Sequence, residues 1–242
     1  MKYSKNKRYD NDFVKSNMMG PNSMIILENL LENIQLTSNM RILDLGCGNG
    51  LTSIYLAKEY GVQVFAVDLW ISASDNYERF SKMGLENQII PIHADATQLP
   101  FADNYFDAVI SIDAYHYFGS NDTYYDSYLA RLLKKDALIA IAVPGMKSEI
   151  DSDNIPQEME SYWSKEAIST WNTCDWWRKI FSKSDEIQIK DIHEMECFEE
   201  AWQDWLKTEN NYAITDKQMI EADGGRYMNL ISIIANKSQK LY

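Results

Sequence analysis

The chain has 242 residues, of which 45% are hydrophobic, and its formal net charge is −13. This length and composition predict one α/β domain with a small appended region. The acidic balance argues against nucleic acid as a partner, because phosphate binding needs clustered lysine and arginine. No apolar run reaches the roughly 18–20 residues that span a membrane. The three separated cysteines lack zinc-binding spacing and indicate free thiols, so a cytoplasmic protein is expected.

The N-terminal region is predicted to be an arm followed by one helix. Residues 1–12 are polar and charged, which favours a frayed terminus for residues 1–8. The helix is expected to begin with Asn22 or Ser23 as its N-cap and to end near Gln35.

Five apolar segments then alternate with helical patterns. This alternation predicts a parallel sheet with helices on both faces and right-handed crossovers. Pro91 indicates that the third strand is an edge or a strand end, and Pro144-Gly145 is expected to end the fifth strand. The predicted strands are 41–45, 62–67, 89–92, 106–112 and 137–143, and the predicted helices between them are 51–60, 72–83 and 121–132.

The segment after residue 145 is rich in aromatic residues, since six of the seven tryptophans lie between Trp163 and Trp205. At least half of these residues are expected to form a hydrophobic core. The others could form a lid, or a pocket for an apolar or cationic substrate, because aromatic faces attract amines. Residues 145–164 and 196–226 are expected to cover the ligand crevice. The pattern also predicts helices at 173–182, 198–207 and 215–222 and strands at 186–192 and 228–235.

The stretch RILDLGCGNG, residues 41–50, is the most informative part of the chain. An apolar strand ends there in a glycine-rich turn, and a helix follows, which is the local unit of a nucleotide-type site. Gly46, Gly48 and Gly50 allow a tight turn and close approach to a ligand. The loop is not a Walker A motif, because no Gly-Lys-Ser/Thr follows it. It is also not the dinucleotide motif G-x-G-x-x-G, because position 51 is leucine.

Polar residues also follow the later strands, and parallel strands bring their carboxyl ends to one crevice. Asp68 could accept hydrogen bonds from both ribose hydroxyls of an adenosine, or it could cap a helix. Asp95 could accept the adenine amino group while the Ala96 N–H donates to a ring nitrogen, or it could form an Asx turn. Trp70 could lie against the adenine or pack on a neighbouring helix.

The segment ILDLGCGNG resembles, nearly residue for residue, the first motif of the class I S-adenosylmethionine-dependent methyltransferases. Asp68 after VFAV, Asp95-Ala96 before LPF, and FDAVISI resemble the later motifs in the right order. The resemblance covers about residues 20–145 and is strongest to the small-molecule branch with ubiquinone and menaquinone C-methyltransferases. Two departures are Lys135-Asp136-Ala137 in place of Pro-Gly-Gly, and Tyr115-His116 in place of paired histidines.

This resemblance implies a Rossmann-like, seven-stranded, mostly parallel sheet with helices on both faces and a small, aromatic-rich helical cap. It implies S-adenosyl-L-methionine as methyl donor, S-adenosyl-L-homocysteine as product, a small-molecule acceptor and no metal. Residues 1–36 would cover the cofactor site, 37–145 would form the cofactor-binding core, and 146–242 would supply the substrate cap and the last strands. The expected cofactor-binding residues are Met19, Gly20, Asp44, Gly46, Cys47, Gly48, Asp68, Leu69, Asp95, Ala96, Ile112 and Asp113.

Methyl transfer from a sulfonium is an in-line displacement, so the protein must mainly align the reacting atoms and exclude water. A general base is needed only where the acceptor must lose a proton. His116 is the candidate base, because neutral imidazole accepts a proton near pH 7. Tyr117, Tyr115 and Asp113 are candidate orienting groups. The alternative for residues 115–118 is an aromatic wall without proton chemistry.

Two other functions stay open at this point. One is a nicotinamide-dependent reductase, against which the glycine spacing argues. The other is a non-catalytic protein that binds S-adenosylmethionine. The sequence does not determine whether the acceptor atom is nitrogen, oxygen, sulfur or carbon, nor does it determine the oligomeric state.

Overall fold

The computed structural model describes residue 3 and residues 5–238, and its centre is a seven-stranded sheet. The strand order is β3-β2-β1-β4-β5-β7-β6, with β7 antiparallel to both neighbours and all other pairs parallel. The predicted seven-stranded, mostly parallel sheet is confirmed. The strands are β1 Arg41–Leu45, β2 Gln63–Asp68, β3 Ile89–His93, β4 Phe106–Ile112, β5 Leu133–Met146, β6 Ile187–Glu194 and β7 Met228–Lys237.

Helices cover both faces of the sheet, because apolar side chains of each central strand alternate between two buried clusters. The helices are α1 Asn11–Asn17, α2 Ser23–Leu30, α3 Leu51–Tyr60, α4 Ala73–Lys82, α5 His116–Gly119, α6 Lys165–Ile168, α7 Cys174–Phe181, α8 Phe198–Trp205 and α9 Asn211–Asp223. On β1, Ile42 packs into one cluster with α2 and α3, while Leu43 and Leu45 pack into the other with α7.

Local capping explains where several helices begin and end. The Asn22 side chain accepts from the Met24 and Ile25 amides at the start of α2, and the Ser72 and Thr173 hydroxyls cap α4 and α7. Gly61 adopts a left-handed conformation directly after α3, as expected for a residue that stops a helix. The Asn22 cap agrees with the sequence prediction, although α2 ends at Leu30, before Gln35.

Three predicted boundaries are wrong. Pro144-Gly145 does not end β5, which continues to Met146 because it pairs with β7 along its length. Residues 121–132 form a π-helical turn, Tyr125–Leu129, and a 3₁₀ turn, Ala130–Leu132, instead of a regular helix. The N-terminal region contains α1, which the sequence pattern did not predict.

The arm before α1 is docked on the protein. The backbone amides of Lys5 and Asn6 donate to the two carboxylate oxygens of Glu28, and the Tyr9 ring stacks on Tyr55. The expectation of fraying is therefore wrong for residues 5–8, while residues 1, 2 and 4 lie outside the described part of the chain.

The aromatic second half serves mainly as core. Trp163, Trp202 and Trp205 are buried in the cluster that contains α2 and α3, and Trp177 is buried in the opposite cluster. Trp171 and Trp176 are partly buried and pack against the same two clusters. Within residue 3 and residues 5–238, no helix is long and apolar enough to cross a membrane.

Phe106 offers a test of how much the sheet core contributes to stability. Its ring is fully buried and makes edge contacts with Phe65, Phe101 and Tyr105, at centroid distances of 5.4, 4.8 and 5.1 Å. Phe106→Ala should lower the free energy of unfolding by about 3–5 kcal/mol through lost burial and a residual cavity. Urea denaturation followed by circular dichroism measures this change.

Tyr212→Ala is the matched control, because this aromatic side chain is 77% exposed. It should change the free energy of unfolding by less than about 0.5 kcal/mol. Equal losses in the two variants would contradict the assignment of Phe106 to the core.

Candidate active site

A cavity of about 400 Å³ lies at the carboxyl ends of β1 to β4. This volume falls in the range of roughly 300–1,000 Å³ that small-molecule pockets occupy. The loops after these four strands form most of the wall, and residues 17–23 close it from the N-terminal side. The strands are parallel and adjacent, so their direction alone brings these loops together.

Three glycines determine the conformation of the loop after β1. Gly46, Gly48 and Gly50 all have positive φ, which glycine adopts without strain. A Cβ on Gly46 would lie 2.2 Å from the Ala114 Cβ, and therefore only glycine allows this approach to the loop after β4. The amides of Gly46 and Cys47 donate to the Val67 carbonyl, which ties the loop to the end of β2.

Asp68 links two walls of the cavity through backbone hydrogen bonds. Its Oδ2 accepts from the Gly48 amide at 2.8 Å, and its Oδ1 accepts from the Trp70 and Ile71 amides at 2.7 and 2.9 Å. These bonds stabilise the turn before α4, but Asp68 is not the helix cap that the sequence left as an alternative, because Ser72 is the N-cap of α4. Because each carboxylate oxygen has two lone pairs, Oδ2 can accept a further hydrogen bond from a ligand in the cavity.

Asp95 also forms the turn that the sequence left as an alternative. Its Oδ1 accepts from the Thr97 amide at 2.7 Å and from the Thr97 hydroxyl at 2.6 Å, and these bonds lower the pKa of the carboxyl group. A hydrogen bond fixes the backbone of Ala96, because its carbonyl accepts from the Tyr124 hydroxyl at 3.1 Å. The Asp95 carboxylate keeps its second oxygen for a ligand.

Asp44 does not lie where the resemblance implies. It is buried beneath the cavity, and its Oδ2 accepts from the Thr52 and Ser53 hydroxyls at 2.6 and 2.5 Å. Burial raises the pKa of Asp44 to about 6. Thr52, which lines the cavity, and the first turn of α3 are the groups that this carboxylate positions.

The segment after β4 places its side chains in alternate directions. Ile112, Asp113 and Tyr117 line the cavity. The Tyr117 ring is exposed and lies edge-to-face against Trp70, with 5.4 Å between ring centroids. Tyr115 points into the core, where it contacts Phe118, Tyr124, Trp177 and Phe181.

His116 does not line this cavity, contrary to its predicted position as a base beside the reacting atoms. Its side chain is only 2% exposed, and burial lowers its pKa to about 3. An imidazole with that pKa is a weak base at pH 7. Nδ1 has no hydrogen-bond partner within the described ranges. Tyr117 lies on the cavity wall, as predicted.

The N-terminal segment is held against the glycine loop by side chains that sequence reasoning missed. The Asn17 carbonyl accepts from the Asn49 amide group at 3.2 Å, and the Asn17 side chain accepts from Arg79 Nε at 3.0 Å. Arg79 also donates to Asn76, whose amide group donates to the Gly48 carbonyl. Met19 and Gly20 therefore reach the cavity, as predicted. The sequence carries no local signal for this network, which joins residues 17 and 79.

The electrostatics of the cavity are acidic. Three carboxylates line it, from Asp68, Asp95 and Asp113, and no lysine or arginine from the described chain does. The same part of the chain contains no group of histidine, cysteine and acidic residues suited to a metal ion.

The second half of the chain does not cover the cavity as expected. No described residue of 145–164 or 196–226 lines this cavity.

Comparisons with known proteins agree with this geometry. Residues 42–136 match the family model described as a methyltransferase domain. The methyltransferase GfsG of Streptomyces halstedii is 25% identical over 69% of this chain and 60% of its own length. A sterol 24-C-methyltransferase of Gibberella zeae is 32% identical over 52% of this chain. The chain spans only 33% of that relative.

Solved structures agree on the fold. Phosphoethanolamine N-methyltransferase 2 of Haemonchus contortus, in complex with S-adenosyl-L-methionine, superposes with a TM-score of 0.73 at 21% identity. The match covers 96% of this chain and 58% of that one. The narrower likeness to quinone methyltransferases stays a prediction. Residues 42–136 therefore match a methyltransferase domain, and the chain shares its fold with a methyltransferase solved in complex with S-adenosyl-L-methionine.

Proposed function

We propose that the protein transfers a methyl group from S-adenosyl-L-methionine to a small-molecule acceptor and releases S-adenosyl-L-homocysteine. The observation that carries this proposal is the meeting of the glycine loop, Asp68, Asp95 and the segment after β4 around one cavity. Such a cavity can hold an adenosine at one end and a reacting group at the other. The methyltransferase domain match over residues 42–136 supports the same conclusion.

In the proposed cofactor complex, Asp68 binds the ribose hydroxyls through the free capacity of Oδ2. Asp95 accepts the adenine amino group, and the Ala96 amide donates to a ring nitrogen. Leu69, Cys47 and Met19 supply apolar contacts, since all three line the cavity. The amino-acid end lies along the backbone of Gly46–Gly48 and against Gly20, which line the same cavity.

The chemical step is a displacement at the methyl carbon. The acceptor lone pair attacks, the carbon–sulfur bond breaks, and the electron pair returns to sulfur. The protein's contribution is to align these three atoms and to exclude water. Ile112 and Tyr117 are the described groups that would flank the acceptor, and residues 17–23 would close the site over the cofactor.

The acceptor is proposed to be an apolar or cationic small molecule. Large apolar side chains are exposed around the cavity, from Met19, Leu69, Trp70 and Tyr117, and the lining charges are negative. The names of the relatives cover sterols, glycine derivatives and O-methylation, so they support small acceptors without selecting the acceptor atom. The wide separation of the three cysteines along the sequence supports the expected cytoplasmic location.

The proposed division of the chain follows from these roles. Residues 1–36 would cover the cofactor, 37–145 would bind it, and 146–242 would supply the cap and the last strands. Asp216, on α9, lies close enough to Asp113 to raise its pKa, which supports a position of the cap beside the acceptor end.

Ligand-induced stabilisation separates this proposal from a nicotinamide-dependent reductase. S-adenosylhomocysteine at 100 times its Kd should add about 2.7 kcal/mol of stability and raise the Tm by roughly 5–10 °C. NADH at the same concentration should leave the Tm unchanged. Differential scanning fluorimetry measures both shifts. A shift with NADH alone would overturn the proposed function.

Asp68→Asn tests the proposed ribose contact. One amide NH₂ group would then face either the Gly48 amide or the Trp70 and Ile71 amides, and the charged acceptor for the ribose would be lost. Affinity for S-adenosylhomocysteine in isothermal titration calorimetry should fall at least tenfold, the scale of a lost charged hydrogen bond. The exposed Asp185→Asn is the matched control and should bind normally. Equal affinities of both variants would contradict the contact.

Gly46→Ala tests the close approach of the glycine loop to Ala114. The new methyl group would force the loop to move, and affinity for S-adenosylhomocysteine should fall at least tenfold. Gly225→Ala is the matched control, because Gly225 has nearly the same φ, +74° against +79°, and nothing within 4 Å of the added Cβ. It should lose only about 1–2 kcal/mol of stability through backbone strain and keep its affinity. Similar affinities in the two variants would show that the approach is not needed.

A further inference from the structure

Asp113 differs from the other two carboxylates on the cavity wall. Asp68 and Asp95 each accept hydrogen bonds from backbone amides of their own turns. The Asp113 carboxylate receives no hydrogen bond and no ion pair from any residue within 3 and 5–238, yet it faces the cavity. The Asp113 side chain is only partly exposed. Partial desolvation without a counter-charge disfavours an ionised carboxylate, so a cationic group in the cavity would stabilise it.

A left-handed turn of the backbone places Asp113 at the cavity. Its φ is +57°, a left-handed conformation that is uncommon for residues other than glycine. The amide donates to the Ala142 carbonyl at 2.8 Å, which fixes the turn to β5. A Cβ on Gly20 would lie 3.1 Å from Asp113 Oδ2, and therefore the glycine there leaves room for the carboxylate.

The surroundings of Asp113 add negative charge. Burial, together with the charge of Asp216, raises the pKa of Asp113 to about 7. Asp216 lies on α9 and accepts a hydrogen bond from Trp205 Nε1 at 2.7 Å, which holds it in place. Tyr117 also interacts with Asp113, and its pKa is raised by partial burial and by this carboxylate. No described lysine or arginine lines the cavity to neutralise these groups.

Two aromatic rings lie at the same cavity. Trp70 is 66% exposed and Tyr117 is 59% exposed, and their rings meet edge-to-face. Contiguous exposed apolar surface at a groove is typical of a ligand-binding site. Ring faces attract ammonium groups through the ring quadrupole, and a carboxylate beside them complements the same charge.

We propose that the acceptor is a primary or secondary amine, and that Asp113 binds its ammonium group beside Trp70 and Tyr117. This inference rests on the proposed methyl transfer and specifies its substrate class. It also reassigns Asp113 from the cofactor, where the sequence resemblance had put it, to the acceptor.

In the proposed step, Asp113 acts as the base for the acceptor amine. The ammonium group gives one proton to the Asp113 carboxylate and becomes a neutral amine. Its lone pair forms a bond to the methyl carbon of S-adenosylmethionine, the carbon–sulfur bond breaks, and its electron pair remains on sulfur. The product leaves as an N-methylammonium ion, and Asp113 releases its proton to solvent. A carboxylate with a pKa near 7 accepts a proton more readily than a surface aspartate.

Acceptor binding to the protein saturated with S-adenosylhomocysteine tests the proposal. The probes are matched pairs, benzylamine with benzyl alcohol and N-methylbenzylamine with benzyl methyl ether, measured by calorimetry and by transfer of labelled methyl groups. Wild-type protein should bind each amine at least tenfold more tightly than its oxygen partner and methylate nitrogen. Absence of this preference, or methylation on oxygen alone, would overturn the amine assignment.

Asp113→Asn is the decisive variant, because asparagine also tolerates a left-handed φ and keeps the shape of the side chain. It should lose the amine preference and most of the methyl transfer while binding S-adenosylhomocysteine within threefold of wild type. Asp185→Asn should retain all three properties. A tenfold loss of S-adenosylhomocysteine affinity would instead assign Asp113 to the cofactor's amino group and overturn the proposal. Absence of S-adenosylhomocysteine binding by wild-type protein would overturn the proposed function itself.

The pH profile supplies a readout that a structural role would not change. The proposed base acts as a carboxylate, so kcat/KM should rise with pH through about 7 in wild-type protein. Asp216→Asn removes the neighbouring charge but keeps an acceptor for Trp205. It should therefore lower the pKa of Asp113 and move the acid limb to lower pH. An unmoved limb would contradict Asp113 as the titrating group.

Discussion

The cavity depends on one carboxylate, that of Asp68. Its two oxygens accept from backbone amides on two different loops, from Gly48 after β1 and from Trp70 and Ile71 after β2. Leaving a buried amide without a partner costs about 1–3 kcal/mol, so these bonds fix both loops at once. The glycine loop can then approach Ala114, and the wall built by β1, β2 and β4 becomes one continuous surface.

The cofactor half of the site could be predicted because its placement follows from backbone direction. A polar residue directly after a buried parallel strand must lie at the carboxyl edge, whatever its rotamer, and this rule located Asp68 and Asp95 correctly on the cavity. The shape of the glycine loop could be predicted for a similar reason. Gly46 and Gly48 have positive φ, and glycine is the residue type that adopts this conformation without strain.

The acceptor half could not be predicted because it depends on side-chain direction and tertiary packing. The left-handed turn at Asp113 sends Tyr117 outward while His116 is buried, and no pattern in the sequence specifies that turn. The presence of a tryptophan in the sequence does not indicate whether its ring packs in a core or lines a pocket. In this structure Trp163 and Trp177 are buried in the two hydrophobic clusters. Pro144 sits inside β5 because its missing N–H faces the β4 side, where pairing ends at Ile112 and Ala142.

The two edges of the sheet have a consequence for how the protein behaves among copies of itself. At one edge, Pro91 removes an N–H from β3, so a second sheet cannot complete a hydrogen-bond ladder there. At the other edge, β6 is irregular between Ile189 and Asp191 and exposes the charged Lys190. Charges and irregular backbone at sheet edges oppose strand-to-strand aggregation. In the described sheet, neither edge strand therefore offers a regular template for pairing with a second copy of the chain.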